Sequence, residues 1–192
     1  QGDPGLTVRT RNLGIGGATS GDLQEALADD PDTRAAVASA DVVVVTSGAN
    51  DLAERLDPAE DAACDAGCLA GVLEETRAHL TGALGEIRDL RDGRPTTVLV
   101  TGYWNDFEDG DAGLQEYGHA GLLWARNATA SSNAAIRDAA AAAGATYVDL
   151  VVPFLGADGG QDPTPLLAQD GDHPNRDGVA VMAAALAAAY RG

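Results

Sequence analysis

Four consecutive valines, Val42 to Val45, sit between Asp41 and Thr46 in the run DVVVVT. No other feature of this chain restricts its fold as strongly. β-branched side chains favour extended backbone, and a short apolar run without polar alternation suits a strand covered on both faces. Such strands belong to parallel sheets wrapped by helices. Further strands should therefore alternate with helical segments.

The sequence supplies both. LTVRTRNLGI (Leu6–Ile15), TTVLVTG (Thr96–Gly102) and ATYVDLV (Ala145–Val151) read as three more strands. Between the second and third, Leu69, Val72, Leu73, Leu80, Leu84, Ile87 and Leu90 recur with a helical period. A second helix is expected from near Leu114 to Gly144, and a last one from about Asp177 to Tyr190. This order predicts an α/β fold, a flavodoxin-like three-layer α/β/α arrangement with a doubly wound parallel sheet. The 192 residues suit one domain. No apolar run approaches the roughly 18 residues of a membrane span. The start, QGDPGLTVRT, has no apolar leader core.

Charge narrows the partners. Twelve arginines, no lysine and 30 acidic residues give a net charge of −18. Nucleic acid and anionic membrane would both be repelled. Cys64 and Cys68, in AACDAGCLAG, admit three readings: a disulfide, half of a metal site, or two thiols. No second Cys pair or His cluster completes a zinc site.

In a doubly wound sheet, ligands bind outside the carboxyl ends of the strands. Three polar loops fall there. NLGIGGATSGDL brings Gly14, Gly16 and Gly17 before a helix whose free N–H groups face the same space. It lacks the lysine of a phosphate-binding loop. SGANDL places Asn50 and Asp51 after the valine strand, where such residues cap helices and make turns or aim an amide across the strand ends. QDGDHPNRDG sets Asp170 three residues before His173, with Asp172 adjacent. An imidazole oriented by a carboxylate is the general-base half of a nucleophilic triad. His79 and His119 read as helix-surface residues.

Together the three loops resemble the blocks of the SGNH (GDSL-type) hydrolases. The resemblance implies a serine ester hydrolase that needs no metal or organic cofactor. It places Gly17 and Asn50 at the oxyanion hole, Asp170 at the orienting acid and His173 at the base. TGYWNDFEDG lies where the family carries a substrate-side loop, so Tyr103, Trp104 and Phe107 are expected as pocket walls. The resemblance further implies a Cys64–Cys68 disulfide, as in secreted actinobacterial esterases, and hence a secreted protein. The implied substrates are small esters, lipids or acetylated carbohydrates.

One block departs from the pattern. The family's nucleophile lies in Gly-Asp-Ser after an N-terminal strand, well before the glycine block. Here only eleven residues precede Asn12, and QGDPG has Pro4 where the serine would stand. Ser20 and Ser47, the serines inside the recognised blocks, do not follow a first strand. The expectation is that residues 1–192 form one domain of this type lacking its first strand, with strand and serine on a segment upstream of Gln1. The strands from Leu6 and Asp41 would then flank a slot. Two rivals stand beside this reading: a non-catalytic binding module of the same fold, and, less well supported, a flavodoxin-like nucleotide binder.

Overall fold

A computed structural model describes residues 7–61 and 66–191. Three parallel strands, β1 (Val42–Val45), β2 (Thr97–Thr101) and β3 (Thr146–Val148), form a sheet in that order. Val42 pairs with Thr97 and Val45 with Val100; Leu99 pairs with Thr146 and Thr101 with Val148. The helices are α1 (Ser20–Asp29), α2 (Pro31–Ser39), α3 (Ala49–Ala53), α4 (Pro58–Asp61), α5 (Ala66–Arg91), α6 (Gly110–Ala143), α7 (Val151–Leu155) and α8 (Arg176–Arg191). A 3-10 turn spans Thr164–Leu166.

Local chemistry sets these boundaries. Thr19 and Asp22 form a reciprocal capping box that starts α1. Asp30 caps α2, whose first residue is Pro31, as expected of a residue with fixed φ and no N–H to satisfy. α6 stops at Gly144, whose left-handed φ of 69° closes the helix.

Alternation along the strands builds the layers. Val43, Val45, Val98 and Val100 face a core made with Leu80, Leu84 and Ile87 of α5, Ile136 and Ala139 of α6, and Leu27 of α1. On the opposite face α8 packs over β2 and β3. Beside it Trp104, Leu150, Phe154 and Leu167 form a second cluster with Val181 and Met182. The parallel sheet between helices agrees with the sequence reading, as do the helices ending near residues 91, 144 and 191.

Two expectations change. Residues 7–15 form no strand; they are exposed, Val8 at 79% and Ile15 at 72%. A strand needs a ladder partner for its backbone groups, and this polar stretch has none among the described residues. The segment therefore does not pair with β1 as a strand. The valine strand, expected to be covered twice, is covered once: Val42 and Val44 remain 40% and 49% exposed, because α8 lies over the other two strands.

Candidate active site

The strand ends gather the three polar loops. After β1 the chain turns at Gly48, whose φ is 129°; a Cβ there would meet Ile136 and Thr76 side chains at 3.3 and 3.4 Å. Only glycine takes this turn readily. It throws the chain directly into α3, which carries Asn50 and Asp51.

Asp51 is buried, and it ties this turn to the glycine loop. Its Oδ2 accepts the Ser20 backbone N–H at 2.8 Å, and its Oδ1 accepts the Ser20 hydroxyl. Asn50 Nδ2 donates to the Ala18 carbonyl at 2.9 Å. Gly17, one residue earlier, is exposed with φ 79°. The two expected oxyanion donors thus sit on segments bonded to each other. His79 joins them through Nδ1, 3.2 Å from Ser20 Oγ. His79 is therefore more than a plain surface residue: it meets the Ser20–Asp51 pair through Ser20, a contact that local sequence does not announce because the two residues lie 59 positions apart. His119 is exposed on α6, as read.

The histidine loop follows α7 and the 3-10 turn. His173 Nδ1 lies 3.1 Å from Asp170 Oδ2 and 3.6 Å from Asp172 Oδ2. Asp170 Oδ1 also accepts the N–H groups of Asp172 and His173, both at 3.0 Å. Led by the His173 N–H, these bonds hold the Asp170 carboxyl below the usual range. Burial pushes Asp172 the other way. Distance and hydrogen bonding both tie His173 more closely to Asp170 than to Asp172.

Between the two halves lies the loop after β2. Burial raises the Tyr103 hydroxyl above its ordinary range, with the charge of Asp106 adding and the Ala49 N–H opposing. The charges of Asp51 and Asp172 both raise Tyr103 and Asp106, so this segment lies within electrostatic reach of the Asn50 turn and of the histidine loop. Trp104 and Phe107 are core residues here, not open pocket walls. Trp104 stacks on Phe154 at 4.0 Å, and Phe107 packs against Trp124 at 5.7 Å. Tyr103 is half-buried.

Asp106 is the residue that sequence reasoning passed over. It is buried, and neither carboxyl oxygen has a hydrogen-bond partner of good geometry among the described residues. Burial pushes it up to about 7; the nearby Ser132 hydroxyl opposes, and the charges of Asp172 and Asp51 reinforce. Asp109, also buried, is fully partnered by Arg126, Asn105 and the Gly110 N–H. Cys64 lies outside the described residues, as does the Cys68 side chain, so the expected disulfide does too. Among the described residues no group of three or more His, Cys, Asp or Glu is arranged to hold a metal ion. No described helix is long and apolar enough to cross a membrane.

A family model, the GDSL-like lipase/acylhydrolase family, matches residues 3–181. The chain belongs to that family. Its members among solved structures share the fold at low identity. The lipase Lip_vut3 from a goat rumen metagenome is 20% identical, with a TM-score of 0.69 over 89% of this chain and 73% of that one. Axe2, an acetylxylan esterase from Geobacillus stearothermophilus, is 19% identical, with a TM-score of 0.59 over 90% of this chain and 68% of that one. The extracellular lipase of Streptomyces rimosus is 22% identical, with a TM-score of 0.51 over 88% and 77%. Among curated proteins, none matches the chain. This GDSL-family chain is thus an α/β protein of the lipase and esterase type.

Proposed function

We propose that this chain carries the acid–base pair and the oxyanion donors of a serine ester hydrolase, with the nucleophilic serine on a segment of the same gene product upstream of Gln1. The observation that carries the reading is the Asp170–His173 contact of 3.1 Å on an exposed loop. The other ring nitrogen of His173 takes no hydrogen bond among the described residues.

In this scheme the serine oxygen attacks the acyl carbonyl carbon and its proton passes to His173 Nε2. Asp170 holds Nδ1–H and stabilises the imidazolium. The Gly17 N–H and the Asn50 amide stabilise the oxyanion, each donor typically worth about 3–4 kcal/mol. When the C–O bond breaks, the leaving alkoxide takes the proton from Nε2. Water then repeats the sequence and releases the acid. The relatives support two ester classes, lipid and acetylated carbohydrate. A secreted location and a Cys64–Cys68 disulfide form part of the same proposal.

A second reading, a non-catalytic module of this fold, draws support from the serines present. Ser20 and Ser47 are buried, Ser20 is taken up by Asp51, and neither bonds His173 among the described residues. Fluorophosphonate labelling of the complete gene product, followed by peptide mapping, separates the two. A labelled serine upstream of Gln1 is expected, together with hydrolysis of p-nitrophenyl acetate or an acetylated xylo-oligosaccharide. No labelled serine would leave the binding module standing.

A further inference from the structure

Asp109 occupies the end of the substrate-side loop, where α6 begins. It is completely buried, and every lone-pair direction of its carboxylate is used. Oδ1 accepts the Gly110 N–H and Arg126 Nη2, each at 2.6 Å; Oδ2 accepts Asn105 Nδ2 at 3.0 Å and Arg126 Nε at 3.2 Å. The Arg126 fork is bidentate, the geometry that best offsets the cost of burying a carboxylate. Asn105 Oδ1 in turn accepts the Thr129 hydroxyl at 3.1 Å, and Thr129 Oγ1 accepts the Asp106 N–H at 2.8 Å. The loop is thereby bolted to α6 at two levels.

The same residue reaches the histidine loop through its backbone. The Asp109 N–H donates to the Gly171 carbonyl at 2.9 Å. Gly171 lies between Asp170 and Asp172, with φ 72°, so close to α6 that a Cβ would stand 2.5 Å from Ala112 Cβ. The turn from Asp170 to His173 is closed at its base by the Leu167–Pro174 bridge, with the Ala168 N–H donating to the His173 carbonyl at 2.8 Å and the Gly171 N–H to the Ala168 carbonyl at 3.1 Å. Its footing on this side is the Asp109 peptide, whose place is set by the carboxylate clamp.

We infer that Asp109 and Arg126 are positioning residues for the Asp170–His173 pair, acting through the Asp109–Gly171 backbone bond. Their role in catalysis rests on the ester-hydrolase reading, but their hold on the imidazole does not. Loss of the fork leaves a buried carboxylate short of donors, the loop end shifts, and His173 loses its fixed approach to Asp170.

The test uses nitrogen NMR of the His173 ring and amide hydrogen exchange in wild type, Asn105→Ala, Arg126→Lys and Arg126→Ala. None of these readouts requires turnover. In Arg126→Ala the Asp109 amide should exchange about tenfold faster or more, with α5 amides unchanged. The His173 ring should drift from the Nδ1–H tautomer toward the mixture of free imidazole. Arg126→Lys keeps a cation without the fork, so it should rescue only part of the tautomer preference; Asn105→Ala should do the least damage. An unchanged His173 ring in both Arg126 variants, with the Asp109 amide deprotected, would reduce the clamp to a structural one and overturn the inference. If α5 amides also open in Arg126→Ala, Arg126→Lys and Asn105→Ala decide by the same criterion. In the complete gene product, Arg126→Lys should lower kcat by up to about a hundredfold with KM little changed; a change confined to KM overturns the inference. Absence of hydrolysis in the wild-type product would instead count against the hydrolase reading, with the NMR result still deciding the clamp.

Discussion

Asp106 and Asp109 lie in one loop, both sealed from solvent, and stand in opposite electrostatic settings. Asp109 meets the Arg126 guanidinium at 2.6 Å, whereas neither Asp106 oxygen has a hydrogen bond of good geometry among the described residues and only the Ser132 hydroxyl lies near enough to favour its charge. Burial raises Asp106 to about 7, against an ordinary value of 3.8. The sign of the linkage follows. Below about pH 4 the carboxyl is protonated in both folded and unfolded chains. Between about 4 and 7 only the folded chain holds the proton, so stability falls with rising pH, by up to about 1.4 kcal/mol per unit. Above 7 the full penalty remains. Asp106→Asn should therefore be more stable than wild type at pH 8 and nearly equal to it at pH 4. Urea melts at both pH values check this; parallel pH dependence in the two proteins would show that Asp106 ionises normally.

The choice of orienting carboxylate is testable by comparison. Asp170 sits 3.1 Å from His173 Nδ1 and accepts two backbone N–H groups besides; Asp172 sits at 3.6 Å. In the complete gene product, His173→Ala should lower kcat by about a hundredfold or more. Asp170→Asn should cost clearly more than Asp172→Asn. Equal losses for the two would transfer the role, wholly or in part, to Asp172.

Ser20 is expected not to be the nucleophile, because its bonds hold it inside the fold. Its hydroxyl donates to Asp51 inside the fold and has no access to solvent. Ser20→Ala should leave fluorophosphonate labelling of the gene product intact. It should also lower stability by about 1–3 kcal/mol, because Asp51 Oδ1 loses a buried donor. Loss of the label with stability unchanged would reverse the assignment.

Asn50 presents a narrower case. One of its amide hydrogens is taken by the Ala18 carbonyl at 2.9 Å, which leaves the other for an oxyanion. Asn50→Ala should reduce kcat about a hundredfold or more, with KM nearly unchanged, since the donor acts in the transition state. A change confined to KM would make Asn50 a ground-state binding group.

What the sequence disclosed divides along physical lines. Val42–Val45 and the periodic apolar positions of α5 disclosed the layers because one side chain type at one spacing suffices to mark a buried face. The contact between Asp170 and His173 was legible because the two residues share one turn. The Asp51–Ser20–His79 network and the Asp109–Arg126 clamp were not, since their partners meet only when the sheet assembles. Residues 7–15 misled for the opposite reason: their apolar residues read as a strand, but a strand exists only with a partner beside it, and they have none among the described residues.

That missing partner shapes the last expectation. Val43 and Val45 point into the α5–α6 core, while Val42 and Val44 stand 40% and 49% exposed on the other face of β1. α8 packs mainly over the two strands beyond. Among the described residues this apolar face is uncovered and the outer edge of β1 unpaired, an arrangement that invites association with another chain. If an upstream segment completes the sheet here, its arrival buries both valines, and one substitution must then behave in two ways. In the 192-residue chain, Val44→Glu should change stability by no more than about 0.5 kcal/mol, as exposed positions do, and should reduce self-association. In the complete gene product the same glutamate would sit unpaired beneath the added segment and should cost about 1–3 kcal/mol or more. Denaturant melts and sedimentation velocity on both forms supply the comparison. A small effect in both would mean that the segment, wherever it folds, does not cover β1.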